Sequence, residues 1–98
     1  MSILMEVLEE ELERLDRQEA AYERELQELP KGYISKKIIQ GKEYYYLQRK
    51  EGGKVVSKYI SAESFPAVDA QVKKRKQLDA SLRRVRADQK KLRKALGV

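Results

Sequence analysis

Gly41-Lys-Glu-Tyr-Tyr-Tyr-Leu-Gln-Arg-Lys-Glu-Gly-Gly-Lys-Val-Val-Ser-Lys-Tyr-Ile60 decides the fold. Gly52-Gly53 parts two runs rich in aromatic and β-branched side chains. A two-residue turn that matches strand twist needs positive φ, which glycine adopts without a Cβ penalty, so the stretch reads as a β-hairpin. That turn sets Arg49 against Val56, Leu47 against Lys58 and Tyr45 against Ile60. Upstream, Tyr33 to Ile39 reads as a further strand, making a three-stranded antiparallel meander with strands Tyr33–Ile39, Glu43–Lys50 and Lys54–Ile60. A Gly41-Lys42 turn of type II′ would place Ile38 opposite Tyr45 and Ile34 opposite Arg49.

Side chains alternate across a sheet. One face therefore carries Ile34, Ile38, Tyr45, Leu47, Val56 and Ile60 and is the expected core face. The other carries Tyr33, Lys37, Ile39, Tyr44, Tyr46, Gln48, Lys50, Val55, Ser57 and Tyr59. Five of the six tyrosines fall between Tyr33 and Tyr59.

Both flanks read as long helices. In residues 2–29, Met5, Leu12 and Leu26 take position a of a heptad, and Leu8, Leu15, Tyr22 and Leu29 take position d. Glu19 breaks the a series. Pro30 ends the helix, because the residue before a proline is pushed out of the α region. In residues 65–96 the apolar series is Val68, Val72, Leu78, Leu82, Val85, Leu92 and Leu96, with Gln89 filling the gap in the seam. Ser64 is the expected N-cap, and Pro66 sits where its missing N–H is harmless.

Charge is segregated along the chain: net −7 over residues 1–29, +5 over 30–65 and +8 over 66–98, within a total of +6. An acidic first helix and a basic last helix of matched length suggest an antiparallel, coiled-coil-like hairpin with the small sheet at one end. In that arrangement Leu29 and Val68 sit near the sheet, Leu8 sits near Leu92, and Glu19 lies near the Leu78–Leu82 turn within reach of Arg75 or Arg83. The fold class is thus α+β, long helix, three-stranded meander, long helix, and residues 1–98 are read as a single domain. The same seams could also join two chains as a homodimer.

With 98 residues and no Cys, His or Trp, the chain has no thiolate or imidazole metal ligands and no nucleophile–base constellation of the common kinds. Neither catalysis, metal, cofactor nor small-molecule substrate is expected. No apolar run approaches the roughly 20 residues that span a bilayer, and the N-terminus lacks a basic signal-peptide region. The expectation is a cytoplasmic protein without a membrane partner.

The segment from Leu29-Pro30-Lys31-Gly32, through Lys37 and Gly41, to Tyr44-Tyr45-Tyr46-Leu47, Gly52-Gly53-Lys54-Val55, Ser57, Tyr59 and Ile60 resembles a family of short, largely uncharacterised bacterial and mobile-element proteins. The resemblance covers about a third of the chain, and it implies no established activity. Members with this pattern continue with glycine after the Tyr-Ile pair, where this chain has Ser61.

The sharpest functional reading is a non-catalytic nucleic-acid-binding module. Tyr33, Tyr44, Tyr46 and Tyr59 would stack on bases while Lys37 and Lys50 contact phosphate. Lys73, Lys74, Arg75 and Lys76 would extend the basic surface. The alternatives are a protein–protein inhibitor of a host nucleoprotein machine, as anti-CRISPR proteins are, because exposed tyrosines also form binding hot spots, or a plain coiled-coil dimerisation scaffold.

Overall fold

Residues 2–98 are described by the structure, a computed structural model. Helix α1 spans Ile3–Gln27, strands β1, β2 and β3 span Tyr33–Ile39, Lys42–Glu51 and Lys54–Ile60, and helix α2 spans Phe65–Leu96. The sheet is antiparallel in the order β1-β2-β3. This is the α+β succession of helix, meander and helix expected from the sequence. The chain divides into two compact units, a finer division than the single domain 1–98 read from its length: one joins the chain up to Glu28 with Gln77–Val98, the other is Leu29–Lys76.

In the helical unit, Leu15, Leu26, Leu78, Leu82 and Val85 are buried at the seam positions the heptads mark. Burial of each is worth roughly 1.5–3 kcal/mol, against about 0–1 kcal/mol for an exposed ion pair, so the apolar seam provides most of the holding force. The helices run antiparallel. As α1 climbs from Asp16 to Glu23, its partners on α2 descend: Arg93 meets Asp16 at 3.3 Å, and Arg86 donates to Glu19 at 3.1 Å and to Glu23 at 2.9 Å. Glu19 therefore meets neither Arg75 nor Arg83. The pairing lies one heptad beyond the expected register. Leu29 and Val68, expected near the sheet, both belong to the sheet unit.

Gln89 is the most deeply buried side chain described, 2% exposed. Its amide donates to Asp16 Oδ1 at 2.9 Å and to Glu19 Oε1 at 3.3 Å. A buried amide is tolerable only when its hydrogen bonds are made, so this fork favours the one register in which two carboxylates face it. Donation from Arg86, then from Gln89, holds the Glu19 carboxyl below its ordinary range.

In the sheet unit the second hairpin turns on Gly52-Gly53, with φ of +58° and +79°, and pairs Arg49 with Val56, Leu47 with Lys58 and Tyr45 with Ile60 as expected. The first hairpin differs. Its two-residue loop is Gln40-Gly41, not Gly41-Lys42, and both residues have positive φ, +51° and +79°. Two positive φ values mark a type I′ turn, whose twist matches the strands. The register becomes Ile34 opposite Leu47, Lys36 opposite Tyr45 and Ile38 opposite Glu43, a shift of two from the expected pairing. Strand β2 gains Lys42, which pairs with Ile39, and Glu51, which pairs with Lys54.

A shift of two preserves the parity of side chains, so the expected faces stand. The first turns of α2 lie over the face of Ile34, Tyr45, Leu47 and Ile60. Phe65 stacks on Tyr45 with ring centroids 4.0 Å apart, and Ile60 is buried. One helix is narrower than the sheet and covers only its central rows. Ile38, 66% exposed, lies on the end row with Glu43, and Val56 lies with Arg49 one row short of the Gly52-Gly53 end, so both stay outside the core expected for them. The connector is capped by Ser61 in place of Ser64: the Ser61 hydroxyl accepts the Ser64 N–H at 3.1 Å, and its carbonyl accepts from Phe65 N–H at 2.9 Å. A glycine at 61 could not supply that hydroxyl.

Candidate binding face of the sheet

Rows of cross-strand neighbours build the uncovered face. One row is Ser35, Tyr46 and Tyr59; the next towards one end is Tyr33, Gln48 and Ser57; beyond it lie Lys50 and Val55. Towards the other end lie Lys37 and Tyr44, then Ile39 and Lys42. Period-two alternation in β2 puts Tyr44 and Tyr46 on the same side, and the glycine turns return Tyr33 and Tyr59 to that side from the flanking strands.

The rings brace one another. Tyr46 meets Tyr59 edge-on, with centroids 5.7 Å apart and planes at 66°, and Tyr44 lies 6.4 Å from Tyr59. Such edge contacts are a favoured aromatic geometry. The Lys37 ammonium sits 4.9 Å from the Tyr46 ring centroid, a cation–π contact. The Gln48 amide donates to Ser57 Oγ at 3.2 Å. Tyr44 and Tyr46 are half-buried, while Tyr33 and Tyr59 are 57% and 55% exposed.

Charge is sorted between the two faces. The two carboxylates of the strands, Glu43 and Glu51, both point to the α2 side, where Lys36 pairs with Glu43 at 2.9 Å and Arg49 with Glu51 at 3.4 Å. Glu43 also accepts the Tyr45 hydroxyl at 3.0 Å. The Lys36 hydrogen bond, then the tyrosine, keep its carboxyl below the ordinary range, while the Lys36 ammonium and the Tyr45 phenol are shifted upwards by the same carboxylate. The tyrosine face carries Lys37, Lys42 and Lys50 and no strand carboxylate. Among the described residues none of these lysines forms an ion pair.

The structure thus brings Tyr33, Lys37, Tyr44, Tyr46, Lys50 and Tyr59 onto one face. It does not bring Lys73, Lys74, Arg75 and Lys76 there. These lie on α2, whose first turns pack on the opposite face. Lys73 is paired with Asp69 at 2.8 Å, and half-buried Arg75 donates to the Leu29 carbonyl at 3.0 Å. Lys42 joins the face unannounced, because the expected Gly41-Lys42 turn removes it from the strand. Two-residue hairpins of type I′ would have been the signal for it.

A cleft of about 430 Å³ opens on the covered side, lined in part by Pro30, Leu47, Ile60, Ser64 and Val68, with Lys58 its single charged residue. Among the described residues no group of three or more acidic side chains is placed to hold a metal ion, and no helix is long and apolar enough to cross a membrane.

No curated protein and no solved structure matches the chain. A family model, described as a domain of unknown function (DUF6788), matches residues 6–70, a span that takes in nearly all of α1, the whole sheet and the start of α2. The chain therefore belongs to the family described as a domain of unknown function, DUF6788.

Proposed function

We propose that the protein is a non-catalytic module that binds nucleic acid through the tyrosine–lysine face of its sheet. The observation that carries this reading is the sorting of charge. Both strand carboxylates are confined to the other face and neutralised there, while four tyrosines and three lysines that form no ion pair among the described residues share an open surface. Phosphates are attracted to such a surface by counterion release, and bases by the ring faces.

Fluorescence anisotropy with labelled DNA and RNA, repeated across salt, tests it. Binding is expected to weaken steadily as salt rises, and to be lost in a Tyr44/Tyr46/Tyr59→Ala variant shown by circular dichroism to stay folded. Equal binding by the variant would reduce the interaction to general attraction by lysines and overturn the assignment to this face. No binding at low salt would overturn the nucleic-acid reading itself. The second reading, a protein partner such as a host nucleoprotein machine, draws on Ile39 and Val55, which stand exposed beside the tyrosines.

A further inference from the structure

We infer that the ligand of this face is a single-stranded segment with its bases splayed apart, one stacking on Tyr33 and another on Tyr59. The inference rests on the reading that the face binds nucleic acid. The four rings are not equivalent. Tyr44 and Tyr46 are committed to Tyr59 by tilted and edge contacts, and Tyr46 is capped by Lys37. They act as buttresses. Among the described residues Tyr33 has no ring contact, and of the four tyrosines it and Tyr59 are the ones more than half exposed.

Spacing then fixes the conformation of the strand. Tyr33 lies on β1 and Tyr59 on β3, two strand spacings apart, and their rows differ by one two-residue step along the strands. At about 4.8 Å per strand spacing and about 3.4 Å per residue, the two residues are about 12 Å apart on the diagonal. Bases in a duplex are stacked about 3.4 Å apart along each strand, so neighbouring stacked bases cannot reach both rings. Unstacked bases of a single strand can.

The face is also poorly made for a duplex groove. Reading base edges there calls for amide or guanidinium side chains placed bidentately. The amide on this face is that of Gln48, and it is already engaged with Ser57. Three lysines meet few phosphates, and for a single strand that corresponds to a log–log salt slope of about −2.

The test uses the full-length protein and labelled 12-nucleotide oligomers, single-stranded DNA, single-stranded RNA and a DNA duplex of the same length, with a salt series for each. Single strands are expected to bind at least tenfold more tightly than the duplex. Tyr33→Ala and Tyr59→Ala are each expected to weaken single-strand binding about 5- to 100-fold, and Tyr33→Phe and Tyr59→Phe to retain it, because stacking needs the ring and not the hydroxyl. The DNA and RNA arms show which sugar is preferred. If Tyr59→Ala melts early, Tyr59→Thr keeps strand propensity without a ring and is read in its place. Duplex binding as tight as single-strand binding, or full binding by Tyr33→Ala, overturns the inference while leaving the nucleic-acid reading in place. Absence of binding to every oligomer overturns both.

Discussion

Replacing Gly32 by alanine should unfold the sheet unit far more readily than the same change in a hairpin turn. Gly32 precedes β1 with φ of +117°, and a Cβ built there would lie 2.2 Å from the Gln48 carbonyl oxygen on β2. Ordinary contact begins near 3.4 Å, so the two main chains would have to part by about 1.2 Å. Neither atom belongs to a flexible side chain that could swing aside. The first pairing of the ladder, Tyr33 with Gln48, would be disturbed. Lost ladder hydrogen bonds at about 1 kcal/mol each and a strained backbone at about 1–3 kcal/mol give a total of roughly 3–5 kcal/mol. Gly53, also at positive φ, has no atom within 4 Å of the added Cβ, so Gly53→Ala carries only the conformational part, about 1–2 kcal/mol. The mid-range difference is about 2.5 kcal/mol, and at about 4–8 °C per kcal/mol for a small domain Gly32→Ala should melt roughly 10–20 °C below Gly53→Ala. Thermal melts followed by near-ultraviolet circular dichroism, where the sheet tyrosines contribute, would measure the gap. Equal melting temperatures would show that the approach of Gly32 to β2 is not held as described.

Three further outcomes follow from the packing. Glu19 has a lowered pKa in the folded chain, so its pairing supports folding above its ordinary value of 4.5 and is lost as pH falls through the lowered value; the gap in melting temperature between wild type and Glu19→Gln should be a few degrees at pH 7 and shrink towards pH 3. Gln40 holds φ of +51° in the type I′ turn, a conformation asparagine accepts more readily, so Gln40→Asn should stabilise by about 0.5–1 kcal/mol in urea unfolding. Ser61→Ala removes the hydroxyl that accepts the Ser64 N–H and should destabilise by about 1 kcal/mol in the same assay.

The order of elements was legible because its signals are local: Gly52-Gly53 between β-rich runs, Pro30 after a heptad helix. The face assignments survived an incorrect first turn because the error was two residues, an even number. The same error hid Lys42, since a residue placed in a turn has no face. The helix pairing was less legible for a related reason. A heptad seam looks the same after a slide of seven residues, so leucines alone do not choose between registers. The choice lies with Gln89, read from sequence as a mere gap in the seam, whose amide finds Asp16 and Glu19 in one register. Charge totals showed that the ends attract but not which residues meet. The basic run 73–76 looked available because sequence does not reveal that Arg75 turns inward to the Leu29 carbonyl.

The distribution of tyrosines gives the molecule an optical property of its own. It contains six tyrosines and no tryptophan, and four of the six stand on the open sheet face. Of the other two, Tyr45 is stacked on Phe65 and Tyr22 accepts a hydrogen bond from Gln18 in the helical unit. Intrinsic ultraviolet emission is therefore dominated by side chains on one surface, unmasked by any indole. A ligand whose bases stack on those rings is expected to quench this emission, so unlabelled ligands can be screened by its intensity.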